Sequence, residues 1–325
     1  MWKTDVINYD SYNCFQFVTS NIAAYYNCDY RAMMLELWGF KYKPNHYPDE
    51  LIGDRLGLCW NGNLHFRKKL LLYHGLEMTY VPLDGLENNI IHLLNIELEK
   101  GPIGVYLDSF ECSWLPYYQK LHRPHAIILH ESTESGYVGF DQFCDSSAHL
   151  FQKLFLSGNV TGLLLFSVDQ KPESSNLINL LQESIMWYKE LQTDAQYLQF
   201  AYDLENNLCI LNEIPADPTK SKLVMYLKNL SDDYFNFIEF LELLADITHH
   251  NVNQLVASVR EISAEYAQLR AYLIKNRFLN KTPSREVIHG GLQRISDNMG
   301  FVLRGLTQII GLTEGDYLFE SGINT

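Results

Sequence analysis

The stretch His125-Ala126-Ile127-Ile128-Leu129-His130, followed after the Ser135-Gly136 turn by Tyr137-Val138-Gly139-Phe140-Asp141, decides the fold. Each apolar run has the length of a strand and is bounded by turn residues, so the pair reads as an antiparallel hairpin. A hairpin returns the residue after its second strand to the neighbourhood of the start of the first. Asp141 therefore comes back to His125, where a carboxylate can orient an imidazole. His130 lies five residues from His125 and on a regular strand faces the other way, which makes it the poorer candidate.

Outward from the hairpin, residues 76–82, 102–107 and 162–168 are further short apolar runs between Gly, Pro and polar residues, and they predict strands. Phe15, Val18, Ile22 and Tyr25 recur at helical spacing, and Leu86 to Glu99 offers a second helical stretch. Helices first and a mostly antiparallel sheet after them give an α+β class. The polar, proline-containing stretch Asp169-Gln170-Lys171-Pro172-Glu173-Ser174-Ser175 predicts a linker. Beyond it Leu177, Leu181, Tyr188, Leu191, Ala195, Leu198 and Tyr202 form one helical stripe. A helix is expected to start at the capping sequence Ser231-Asp232-Asp233, a stripe runs from Val252 to Leu273, and a last helix follows Thr282-Pro283-Ser284. The expected organisation is a catalytic domain over 1–170 and an all-α helical bundle over 174–325.

The composition fits two cores: 325 residues, 47% hydrophobic and 20% charged. Twenty-five basic against 39 acidic side chains leave a net charge of −14, which argues against nucleic acid and anionic membranes as general partners. Met1-Trp2-Lys3-Thr4-Asp5 does not open a secretory signal, and no run approaches the ~20 apolar residues that cross a bilayer. Cys14, Cys28, Cys59, Cys112, Cys144 and Cys209 are scattered without a CxxC pair. A reducing, cytoplasmic setting with room for a reactive thiol is the expectation.

The chain has no GxSxG, GxGxxG or P-loop, and His130-Glu131 has no second histidine at zincin spacing. The pairs His122 with His125 and His249 with His250 are weak metal candidates, and no metal is expected. What remains is a thiol, an imidazole and a carboxylate in order. Cys14 stands at the start of the first helix, after Tyr9-Asp10-Ser11-Tyr12-Asn13. A cysteine commonly packs as a small hydrophobe, but at a helix start the unpaired amides and the dipole favour its thiolate. Cys14, His125 and Asp141 together are the set that nucleophilic catalysis by thiol requires.

This order, Cys on an N-terminal helix, His on a strand and Asp after the next strand, resembles that of papain-fold cysteine enzymes, with spacing close to the bacteriocin-leader peptidase branch. Those enzymes carry an oxyanion-hole Gln six residues before the Cys, where this chain has Asn8. The closer resemblance is to the butirosin BtrH-type acyltransferase family. It rests on Asn13-Cys14, Gly101-Pro102-Ile103-Gly104-Val105-Tyr106-Leu107-Asp108, Leu115-Pro116-Tyr117, His125 with its strand, and Tyr137-Val138-Gly139-Phe140-Asp141, over roughly the first 170 residues.

The resemblance implies a papain-like core that moves an acyl or aminoacyl group from a carrier-protein thioester to an amine in a thiotemplated natural-product pathway. Cys14 would be the nucleophile, His125 the base, Asp141 the orienting acid and Asn8 an oxyanion donor. No cofactor is implied beyond the phosphopantetheine arm of an acyl or peptidyl carrier protein. Asp108 and Tyr117 would belong to the substrate pocket, with Asp108 either binding the acceptor amine or only capping its turn. Trp60, Phe110, Trp114, Tyr117 and Tyr118 could wall a dry acyl pocket or be plain core. Docking an acidic carrier calls for local positive charge, at Arg67-Lys68-Lys69 or at Lys275, Arg277, Lys281 and Arg285. A cysteine peptidase, an amidase or a thioesterase-like hydrolase would use the same machinery, and a silent intermediate-binding protein would keep only the pocket. The helical half could cover the site, form a homodimer face or receive the carrier.

Overall fold

A computed structural model describes residues 2, 4–43, 50–57, 70–83, 89–144, 147–168, 177–190 and 192–311. The chain divides into two compact units, Met1–Ala32 with Gly62–Ser175, and Met33–Asn61 with Asn176–Thr325. The class is mixed α+β, and within the first unit the described strands form one six-stranded antiparallel sheet.

In chain order its strands are β1 (Leu76–Pro82), β2 (Ile103–Asp108), β3 (Pro124–Ser132), β4 (Gly136–Phe140), β5 (His149–Gln152) and β6 (Val160–Val168). Across the sheet they run β1-β6-β2-β3-β4-β5. Among its described residues the α-helices of this unit are α1 (Cys14–Tyr25), α2 (Ile90–Lys100) and α3 (Lys153–Asn159). Strand β5 and helix α3 had no counterpart in the sequence reading. His149 to Gln152 is a short edge strand, and it carries only one buried side chain, Phe151, to mark its face.

Alternation sorts the central strands onto two faces. Ile103, Val105 and Leu107 pair with Leu129, Ile127 and His125. The apolar members of that set share one core with Ile90 and Leu94 of α2 and Leu156 of α3. The opposite face carries Gly104, paired with Ile128 and Leu164. There α1 lies against β2 and β3. Residues Phe15 to Ala23 of α1 are all buried, so this helix is enclosed rather than amphipathic. Its buried polar side chains are satisfied, for example by Thr19 Oγ1 donating to the Phe15 carbonyl at 2.9 Å and Ser20 Oγ to the Gln16 carbonyl at 2.8 Å.

The close approach of α1 to the sheet depends on Gly104. A Cβ at that position would meet Val18 Cγ1 at 2.7 Å and Leu164 Cβ at 3.0 Å. Neither neighbour can retreat easily, because Val18 and Leu164 are themselves enclosed, at 0% and 1% exposure.

The second unit is helical, with α4 (Leu177–Glu190), α5 (Thr193–Asn206), α6 (Lys222–Thr248), α7 (Asn253–Phe278) and α8 (Arg285–Ile309). Residues 33–61 belong to it, so the first unit is not the continuous 1–170 expected from the sequence. The cause is a set of long-range contacts. Trp38 stacks on Tyr188 at 4.4 Å, and the buried Arg55 pairs with Asp203 at 2.7 Å. Glu213 accepts the amides of Ile52 and Gly53. A second correction concerns α6, which begins at Lys222 with Ser221 as N-cap, not at 231. Ser231 sits mid-helix and donates across to the Ser263 carbonyl at 2.9 Å. His249 caps the same helix in the left-handed conformation, with φ 58°, rather than lying within it.

The linker 169–175 lies outside the described residues, as do Trp60 and Arg67-Lys68-Lys69. Among the described residues no helix is long and apolar enough to cross a membrane.

Gly104→Ala should lower the free energy of unfolding by roughly 1–3 kcal/mol through overpacking against α1, read as a lower urea midpoint. An unchanged midpoint would mean that the helix has room to move.

Candidate active site

Asn13 and Gln16 set the start of α1 through a capping box. The Asn13 side chain accepts from the Gln16 amide at 2.9 Å, and Gln16 Oε1 accepts from the Asn13 amide at 3.0 Å. Cys14 is thereby the first helical residue, in the turn where backbone N–H groups have no intrahelical partner. It is a free thiol of intermediate exposure.

His125 is the second residue of β3, after Pro124, and is 4% exposed, while Asp141 follows β4 and is 1% exposed. Their side chains meet as the hairpin predicts, His125 Nε2 to Asp141 Oδ2 at 2.7 Å. A carboxylate can only accept, so Nε2 carries a proton and Nδ1 is the ring nitrogen left to exchange one with Cys14. Burial alone pushes the imidazole pKa down. The hydrogen bonds to Asp141 and Cys14, with the charges of both groups, outweigh burial and raise it to about 9. The structure thus brings Cys14, His125 and Asp141 together.

Two further donors hold Asp141. Trp114 Nε1 donates to Oδ2 at 2.9 Å and the Phe143 amide to Oδ1 at 2.8 Å. Trp114 packs against Phe151 and Phe155 at 5.7 and 5.5 Å, so its indole links the core to the carboxylate. Sequence reasoning offered Trp114 as a pocket wall or as plain core, not as a donor. The signal that could have found its second role is the indole N–H, which needs an acceptor when buried, beside a carboxylate that needs donors.

A clasp between the N-terminal segment and the loop after β4 was also not foreseen. Asn21, on α1, donates to the Ile7 carbonyl and accepts the Ile7 amide, both at 2.8 Å. The next residue, Asn8, is exposed, and its Nδ2 donates to the Gln142 carbonyl at 3.1 Å. Gln142 Nε2 in turn donates to the Tyr12 carbonyl. Asn8 therefore sits beside the Asp141 loop with one of its two amide protons engaged.

Asp108 takes the turn-capping alternative. Its Oδ1 accepts the Phe110 amide at 3.0 Å and its Oδ2 faces His122 Nδ1 at 2.7 Å. Burial works against ionisation, but these bonds together, with the His122 charge and the Arg123 amide, outweigh it and hold the carboxyl below its usual range. Each oxygen thus has one partner within the loop, and each can accept a second donor. Tyr117 lies under the Arg123 guanidinium at 5.5 Å, and Phe110 stacks on His122 at 4.2 Å. Both rings belong to the loop between β2 and β3, which is tied at its base by the Ser109 amide to the Arg123 carbonyl. His130 is separate from the triad and stacks on Phe140 at 5.1 Å.

Among the described residues no three His, Cys, Asp or Glu side chains are grouped to hold a metal ion. Cys112 is buried beneath the same loop, where burial and the charges of Asp141, Asp108 and Glu111 push its pKa up to about 12. It stays protonated and unreactive at neutral pH. Of the basic residues considered for docking, Lys275 and Arg277 occupy the last turn of α7, where they complement the helix dipole. Arg277 Nε also donates to the Ile214 carbonyl at 2.6 Å.

A scan against protein-family models finds no family that matches this chain, and a search of the curated proteins finds no match either.

The raised pKa of His125 sets a pH dependence. The folded value, about 9, lies above the ordinary 6.5. The stabilisation is therefore full below about pH 6.5 and lost as pH rises through 9. Asp141→Asn should be less stable than the parent by on the order of 2–3 kcal/mol near pH 6, with the gap closing by pH 10. Urea unfolding at several pH values measures this, and a gap that widens with pH would reverse the assignment.

Proposed function

We propose that the protein is a cysteine-dependent acyltransferase that forms an amide bond through a Cys14-bound acyl-enzyme, on a papain-like first unit. The observation that carries this reading is the buried His125–Asp141 pair with Cys14 as its third member. Asp141 is fixed by three donors. It holds His125 in the tautomer and orientation that leave Nδ1 for the thiol.

The sulfur of Cys14 attacks the carbonyl of a thioester, and His125 holds the thiol proton. The developing oxyanion is received by the Cys14 amide at the start of α1 and by the second Nδ2 proton of Asn8. Each such donor contributes about 3 kcal/mol to the transition state. Collapse expels the donor thiol, which takes the proton from His125. An amine then attacks the acyl-enzyme, giving up its proton to His125 as the amide forms and Cys14 is released.

The thioester donor in this reading is the phosphopantetheine arm of an acyl or peptidyl carrier protein in a natural-product pathway, as in the BtrH-type enzymes that the sequence resembles. Cytoplasmic placement belongs to the same reading. Release to water in place of an amine would make the same site a hydrolase.

The test is intact-mass measurement of the protein with an acyl-loaded carrier or a small acyl thioester, followed by addition of amines. A Cys14 adduct should form and be discharged as an amide. Cys14→Ala should form none, and His125→Ala should slow the reaction by about 10²–10⁴. A free acid as the sole product would favour the hydrolase, and the absence of any adduct would remove the covalent reading. Iodoacetamide at neutral pH should label Cys14 before the other five cysteines, as read by peptide mapping.

A further inference from the structure

The clasp that joins residues 8–12 to residues 141–143 leaves two large aromatic side chains at the surface beside the triad. Tyr9 is 50% exposed and Phe143 is 49% exposed. Single exposed aromatics are ordinary on protein surfaces, but these two are held by the same bonds that build the site. Phe143 gives its amide to Asp141 and sets its ring 5.6 Å from the His125 ring. Tyr9 gives its carbonyl to the Tyr12 amide in the turn that leads into Cys14, and its ring stands edge-on to Tyr12 at 5.1 Å. Asn8 and Gln142, the neighbours of these two residues, are hydrogen-bonded to each other. The rings therefore flank one seam, with His125 on one side and the start of α1 on the other.

The two segments that build this seam carry charge of one sign. Segments 4–13 and 141–144 hold the exposed Asp5 and Asp10 and the buried Asp141, and contain no lysine or arginine. A flat apolar group can cover both rings and remove them from water. An anionic group placed there would meet carboxylates of like charge.

Resting on the acyl-enzyme reading above, we infer that Tyr9 and Phe143 form an aromatic rim that selects the acyl group, favouring flat, apolar acyl chains and disfavouring acidic ones. The step in question is the first. Cys14 sulfur bonds to the thioester carbonyl carbon, the carbon–sulfur bond to the leaving thiol breaks, and the proton on His125 passes to that thiol. Keeping the leaving thiol constant isolates the contribution of the acyl side.

The full chain is incubated with the N-acetylcysteamine thioesters of phenylacetate, acetate and succinate, and the Cys14 adduct is followed by intact mass. Phenylacetyl transfer should exceed acetyl by about tenfold or more, the discrimination an apolar subsite can supply, and succinyl should be slowest. Tyr9→Ala and Phe143→Ala should each bring the phenylacetyl-to-acetyl ratio below about threefold, and Phe143→Tyr should keep it. Reading the ratio separates selection from any general loss of activity or folding. A wild-type ratio near one, or ratios unchanged in both alanine variants, would overturn the rim while leaving the acyl-enzyme intact. Failure of all three thioesters to modify Cys14 would overturn the acyl-enzyme reading itself, and the rim with it.

Discussion

A carboxylate enclosed to 1% exposure must be paired from several directions, and the first unit is arranged around meeting that demand for Asp141. One donor comes from strand β3, one from the loop between β2 and β3, and one from the backbone two residues further on. Each ties a different part of the chain to the same atom group. The hairpin fixes the strand donor, and the packing of Trp114 on Phe151 and Phe155 fixes the loop donor. Loss of any one leaves a buried charge short of a partner, a far larger cost than the loss of a surface contact.

Cys14 is positioned by different means. Helix α1 is enclosed over nine consecutive residues, so its start cannot drift while its body stays in place. The close contact at Gly104 holds it to the sheet, and Asn21 holds the incoming segment to the helix. Gln142 completes the arrangement by joining that segment to the Asp141 loop. The thiol and the carboxylate are thus referred to one another through backbone carbonyls as well as through the imidazole between them.

Much of this was legible from local pattern. The apolar runs around Val105, Ile127, Tyr137 and Leu164 predict the strands, and the length of the hairpin alone brings Asp141 to His125. The pattern fails where the partner is distant. Arg55 reads as an ordinary charged residue of the first half, and only Asp203, far along the chain, makes it part of the helical unit. Ser231-Asp232-Asp233 has the composition of a cap, yet the turns before it are helical too, and Ser231 finds its acceptor on the neighbouring helix. Trp114 was visible as an aromatic but not as a donor, because its acceptor is 27 residues away in sequence. Asp108 illustrates the reverse, since the cap it makes for Phe110 is local and readable.

Against the pull of burial, the proton affinity of His125 is held up by its hydrogen bonds to Asp141 and Cys14. Under the proposed acyl transfer the bond to Asp141 would persist, whereas the sulfur of Cys14 would no longer pair with the imidazole once it carried an acyl group. The imidazole would then grip its proton less tightly, at the stage when an arriving nucleophile has a proton to shed. Under the proposed acyl transfer, timing of this kind would need no moving element in the fold, because the bond formed in the first half of the cycle would reset the base for the second.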